Sequence, residues 1–228
     1  MLNLGKRVRG LLVKLPSTEV VDIVAASGLD FVVVDLEHSQ LSEHDASRLV
    51  RHARALGFPA LVRLPANDRG IVNRLLEAGA AGIQLSTVRK AAEVAELRAA
   101  CRYAPDGRRS VSLNHPLAGY GAVALADYIA AQDAGPLVVA QIETAETDDP
   151  LDDVLAARPD VVFVGVVDLT VDLGLDGDRV RERIEEIAAA AEDAGIPLGA
   201  YALDDERVTY DLVASDLGLL QKAVYALA

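Results

Sequence analysis

Eight short apolar runs rich in β-branched residues alternate with longer, Ala-rich amphipathic stretches along the whole 228-residue chain. The runs fall at residues 10–14, 31–34, 60–63, 82–85, 137–142, 161–164, 198–201 and 212–214, and helical patterns at 18–26, 43–56, 70–78, 88–102, 150–157, 179–194 and from 217 onward. Nearly continuous apolar strands must be covered on both faces, and helical connections between them enforce parallel pairing. Eight such units predict a single-domain α/β fold over residues 1–228, a modified TIM (βα)8 barrel. Glycines at 28, 57, 79 and 195, each followed by an apolar residue, punctuate helix ends. Two connections are irregular. Residues 203–211 are too few for a full crossover, which takes roughly a dozen residues or more, so the seventh helix is expected to shrink to a turn. The Pro-, Gly- and Arg-bearing stretch 103–122 is expected to be a loop over the barrel mouth.

A formal charge of −13 and scattered arginines give no electrostatic footprint for nucleic acid or anionic lipid. The single cysteine, Cys101, excludes an internal disulfide or a multi-cysteine zinc site and reads as a small buried hydrophobe. No run of 18 apolar residues occurs, and the first residues carry no leader pattern, so a cytoplasmic protein is expected.

Active sites of parallel barrels are built at the C-terminal ends of the strands. Four runs end directly in polar, titratable residues: Asp35-Leu36-Glu37-His38, Arg63, Glu143 and Asp168. Glu143 and Asp168 could share a divalent cation that prefers oxygen ligands, with positions left for water and substrate. Arg63 could bind a carboxylate or a developing enolate oxygen. His38 is suited to moving a proton at neutral pH. Taken singly, Glu143 and Asp168 read more readily as ordinary strand-end carboxylates and His38 as a structural histidine, while Arg63 reads equally well as a strand-end salt bridge. His44 and His52 fall on a helical pattern and are expected to face solvent, and His115 on the long connection is a secondary candidate.

In order and spacing these residues resemble the HpcH/HpaI aldolase family, the metal-dependent class II pyruvate aldolases. The resemblance runs from about residue 16 to residue 174. It is carried by Gly28-Leu29-Asp30-Phe31, Asp35-Leu36-Glu37-His38, Val62-Arg63 with Asn67-Asp68, Leu75-Leu76-Glu77-Ala78-Gly79-Ala80, Pro105-Asp106-Gly107-Arg108-Arg109, Gln141-Ile142-Glu143-Thr144 and Val162 to Thr170. The resemblance implies that Glu143 and Asp168 hold Mg²⁺, with Mn²⁺ or Co²⁺ as substitutes, and that His38 is the base. It further implies that Arg63 steadies the enolate, that Glu77 raises the basicity of the histidine, and that Gln141 with the Val167–Asp168 backbone contacts a pyruvate-like 2-keto acid. The second partner is an aldehyde or other electrophile. A homo-oligomer is implied, dimer-based and extending to a hexamer, with the C-terminal helix exchanged between subunits; Leu217, Leu219, Leu220, Val224 and Leu227 give that segment an apolar face.

The chain departs from the family pattern at Ser86, Ser110, Asn114-His115-Pro116, Val166 and Thr170, in having Glu77 where an Asp is usual, and in lacking tryptophan. These departures leave the electrophile open. Citrate-lyase-like or citrate-synthase-like enolate chemistry is the nearest alternative, although His38 stands where the citrate-lyase branch has an acid. A metabolite-binding barrel without turnover is the other. The resemblance requires no Schiff-base lysine; of Lys6, Lys14, Lys90 and Lys222, only Lys14 ends a strand and keeps a class I mechanism open.

Overall fold

The structure, a computed structural model, describes residues 2–132 and 135–228. Strands β1 (Val8–Val13), β2 (Phe31–Asp35), β3 (Ala60–Leu64), β4 (Gly82–Leu85), β5 (Leu137–Ile142), β6 (Val161–Val164), β7 (Leu198–Tyr201) and β8 (Val208–Ser215) pair in parallel, each with its sequence neighbours, and β8 closes on β1. Around them lie α1 (Thr18–Ala26), α2 (Glu43–Ala55), α3 (Arg69–Ala78), α4 (Ala91–Cys101), α5 (Leu125–Ala130), α6 (Leu151–Ala156), α7 (Val166–Asp172), α8 (Gly177–Asp193) and α9 (Asp216–Tyr225). The expected TIM-type barrel is therefore the fold.

The period of two along each strand divides the apolar residues into two layers. Phe31 and Val33 join Val8, Leu12, Leu61, Val139, Phe163, Tyr210 and Leu212 inside the barrel, while Val32 and Val34 face the helices. Gly10 in β1 is required by this filling, because a Cβ there would lie 2.5 Å from the Phe31 ring. Local signals start and stop the helices. Ser42 and Asp45 cap α2 reciprocally, Asp68 accepts the Gly70 and Ile71 amides at the start of α3, and Gly79 ends that helix at φ 110°.

Three expectations change. The seventh helix is reduced to a turn, as expected, but the eighth strand starts at Val208 rather than at residue 212, so residues 202–207 alone connect it to β7, and its pairing with both neighbours carries a register shift. A short helix, α7, follows β6 almost at once, so Val167 and Asp168 lie on its first turn rather than directly at a strand end. Residues 103–122 do not cover the mouth. They follow α4, which returns the chain to the N-terminal end of the barrel, and a cavity of about 260 Å³ is lined there by Arg109 and Leu117 together with Pro59, Ala81 and Pro136 at strand starts. Within this segment Pro116–Gly121 forms a 3₁₀ turn, and His115 is buried, hydrogen-bonded through Nε2 to the Ser112 carbonyl at 2.9 Å and packed edge-on against Tyr128. His115 is thus a structural residue at the foot. Cys101 is buried as expected, with its thiol pushed up to about 12 by burial.

Candidate active site

One further two-residue step along the inward-facing rows replaces most of the apolar filling by polar side chains. Leu12 is followed by Lys14, Val33 by Asp35, Leu61 by Arg63, Gly82 by Gln84, Val139 by Gln141 and Phe163 by Gly165. Lys14, Arg63, Gln84, Gln141 and Gly165 line a cavity of about 320 Å³ at the C-terminal mouth, with His38, Val167, Asp168 and Tyr201. The site is thus the top layer of the barrel core.

Arg63 and Asp35 face each other in register on β3 and β2. Arg63 Nε donates to Asp35 Oδ1 at 2.8 Å and Nη2 to Oδ2 at 2.7 Å, a planar two-point pair that fixes the guanidinium plane. Burial opposes the Asp35 charge, yet the bonds and charge of Arg63, with the Glu37 and His38 amides, hold its carboxyl below the usual range. For Arg63 burial likewise disfavours the charge, and Asp35 outweighs it, so the guanidinium is held charged. Its remaining nitrogen, Nη1, lies 3.3 Å from Glu37 Oε2.

Glu37 also accepts the Ser86 hydroxyl at 2.6 Å and lies 3.8 Å from His38 Nε2. The His38 side chain is 54% exposed, so its imidazole can reach a ligand in the mouth. Glu77 is not brought to it. That residue lies in the last turn of α3, toward the foot, where Asn73 Nδ2 donates to it at 3.0 Å. Glu37, one residue away in sequence, is the carboxylate that this chain places beside the histidine.

Glu143 stands just past β5. Its Oε1 accepts the Thr87 amide at 2.7 Å and the Thr87 hydroxyl at 2.6 Å, and its Oε2 accepts from Gln141 Nε2. Thr87 adopts φ +51°, a left-handed conformation that is costly for a β-branched residue, and its two bonds to Glu143 hold it there. Burial raises the Glu143 carboxyl more than these bonds lower it, and the charges of Glu37 and Asp168 add to the rise. A carboxylate whose ionisation is opposed by burial and by two neighbouring acids, as that of Glu143 is, is relieved by a cation. Gly165 leaves the necessary room, since a Cβ there would come within 2.6 Å of Glu143 Cβ and strike the carboxylate.

The residues fit the implied divalent ion on this charge pattern. Among the described residues no group of three or more His, Cys, Asp or Glu is arranged to hold a metal, so Glu143 and Asp168 would leave most of its coordination to water and substrate, a habit of Mg²⁺. Gln84, which strand-end reasoning missed, donates to Gln141 Oε1 at 2.6 Å and so orients that amide, while its own buried Oε1 has no partner. A plain period-of-two extension of β4 would have found it.

The mouth of this TIM-type barrel thus brings a buried arginine clamp, adjacent acidic residues and an accessible histidine around one small cavity. The chain belongs to the HpcH/HpaI aldolase/citrate lyase family, whose model matches residues 9–214. It is 33% identical over 192 residues to a hydroxypyruvate/pyruvate aldolase of Roseovarius nubinhibens, covering 82% of this chain and 74% of that one. Its fold is similar to the crystal structure of an HpcH/HpaI aldolase from Desulfitobacterium hafniense (TM-score 0.88, 30% identity, 97% of this chain and 91% of that one). It is also similar to the citrate synthase SbnG (TM-score 0.85, 27% identity, 98% and 92%).

Proposed function

We propose that this protein is a metal-dependent aldolase that makes or breaks a carbon–carbon bond to the enolate of a pyruvate-type 2-keto acid. The observation that carries this reading is the meeting of Arg63, His38 and Asp168 around one cavity of about 320 Å³, with the Glu143 carboxylate held just behind its wall by Gln141 and packed against Gly165. Glu143 and Asp168 would hold the divalent ion, Mg²⁺ foremost, with Mn²⁺ or Co²⁺ as substitutes; when bound, it supplies Lewis acidity toward the keto acid. Arg63, aimed by Asp35, binds the negative oxygen that develops on the substrate. Gln141, oriented by Gln84, binds the keto acid beside it. The unpaired first-turn amides at Val167 and Asp168 offer further donors to its carboxylate. His38 takes the proton from the nucleophilic carbon in synthesis, or from the 4-hydroxyl of the aldol substrate in cleavage, with Glu37 in place to steady the imidazolium.

The likeness to a citrate synthase favours a second reading, in which the same enolate attacks a different electrophile. His38 as the proton carrier favours the aldolase. Assembly is part of the proposal: α9 buries only Asp216 against its own barrel and leaves Leu217, Leu219, Leu220 and Val224 about half exposed, an apolar face suited to exchange within a homodimer. No helix among the described residues is long and apolar enough to cross a membrane, and we place the enzyme in the cytoplasm.

The test is pyruvate release from a panel of 4-hydroxy-2-oxo acids, read by lactate dehydrogenase coupling with Mg²⁺ and again with chelator. Metal-dependent release is expected from at least one member. Release that persists undiminished in chelator would contradict the metal requirement, and binding of pyruvate without any turnover would point to the metabolite-binding barrel.

A further inference from the structure

The chemistry above leaves Lys14 without a part. It continues the inward row of β1, one step above Leu12, and faces the mouth from the strand diametrically opposite β5, across the eight-stranded ring from Glu143. Its backbone is pinned: the Lys14 amide donates to both oxygens of Asp216, at 2.9 and 3.0 Å, and the Leu15 amide donates to Asp216 Oδ2 at 2.9 Å. Its ammonium is not consumed. Nζ lies 3.4 Å from Asp35 Oδ2 as an ion pair, and no acceptor among the described residues is hydrogen-bonded to it. Asp35 does not require it either, because Arg63 and the Glu37 and His38 amides already supply four donors. A lysine placed only to neutralise Asp35 would be redundant there.

The surroundings suit an incoming charged group. The Lys14 side chain is one-fifth exposed and lines the cavity together with the apolar Leu12, Phe163 and Leu212, where screening by water is reduced. The hydroxyl-bearing side chains of Tyr201 and Ser215 border the same side. Because Asp216 occupies the adjacent amides, the subsite offers one ammonium and hydroxyls rather than a nest of N–H donors, which matches a carboxylate better than a phosphate.

Resting on the enolate reading of the same mouth, we propose that Lys14 selects the electrophile: an aldehyde or ketone that carries a carboxylate, docked on the Lys14 ammonium with its carbonyl carbon toward the enolate. In addition, the former methyl carbon forms the new bond to that carbonyl carbon, the C=O π pair moves onto its oxygen, and the resulting alkoxide takes the proton that His38 removed from pyruvate. No other reactant is needed.

The test compares 4-oxobutanoate with butanal, equal in chain length and differing in the terminal carboxylate, as acceptors for pyruvate. The quantity read is the ratio of their kcat/KM values, which a mere loss of folded enzyme does not move. Wild type is expected to favour 4-oxobutanoate; Lys14→Met and Lys14→Gln are each expected to lower the ratio about 10- to 100-fold, the effect of losing a hydrogen bond to a charged group, and Lys14→Arg to keep most of it. A wild-type ratio near one, an unchanged ratio in both neutral variants, or loss of addition to both acceptors in both variants would overturn the assignment. Failure of wild type to exchange the methyl protons of pyruvate would instead overturn the enolate reading beneath it.

Discussion

Asp35→Asn removes one charge and, by our account, disarms the arginine on which the site turns. The carboxylate is fully buried and accepts two bonds from Arg63 at 2.8 and 2.7 Å, and Arg63 as a whole residue is only 7% exposed. Breaking a buried pair from one side costs about 3–5 kcal/mol, because the surviving charge is left in a poorly solvated site. Glu37, 3.3 Å from Nη1, still offers Arg63 a partner, which places the cost at the lower end, about 3 kcal/mol. Urea unfolding measures this directly: with a slope of about 2–3 kcal/mol/M, the midpoint should fall by roughly 1 M or more. Arg63→Met should cost a similar amount, and the double variant clearly less than the sum, since residues in one ion pair couple by about 0.5–3 kcal/mol. A cost below about 1 kcal/mol for Asp35→Asn, or strict additivity in the double variant, would refute the claim that the two act as one unit.

Three further outcomes follow from the same geometry. Asp35 has a lowered carboxyl, so its stabilisation is fully present above the unfolded value near about 3.9 and is lost as pH falls through the lower folded value; the stability gap between wild type and Asp35→Asn should therefore narrow below about pH 4 in acid-urea titrations. Gly165→Ala should displace the Glu143 carboxylate at a cost of about 1–3 kcal/mol, read as a lower urea midpoint together with weaker Mn²⁺ binding by electron paramagnetic resonance, and unchanged Mn²⁺ affinity would count against the cradle. Cys101, buried with its thiol raised to about 12, should resist a disulfide reagent in the native state at neutral pH and react on unfolding; rapid native labelling would contradict its packing.

The barrel was legible because its cause is local. Runs such as Phe31 to Val34, apolar on both faces, need helices on one side and neighbours on the other, and the order of units leaves little choice of topology. The site residues at strand ends were legible for the same reason, since the next inward position after Val33 or Leu61 must emerge at the mouth. Chain parity was the signal not used: a segment following α4 emerges at the foot, so the 103–122 connection and His115 belong there. Glu77 failed for a related reason, because the last turn of α3 also lies toward the foot, whereas Glu37 sits beside its histidine. What sequence could not supply was the second layer of contacts, Ser86 on Glu37, Thr87 on Glu143 and Gln84 on Gln141, because each joins side chains from different strands whose meeting depends on the closed register.

The central claim, that this mouth forms the enolate of a pyruvate-type acid, is tested most directly by proton exchange without any electrophile. Pyruvate incubated with the protein in D₂O and Mg²⁺ should lose its methyl signal in proton NMR. Exchange should fall to background in Glu143→Gln and drop by about 10²- to 10⁴-fold in His38→Ala, the range for removing a general base. Methyl protons that persist with Mg²⁺, Mn²⁺ and Co²⁺ alike, or exchange in Glu143→Gln at the wild-type rate, would contradict it.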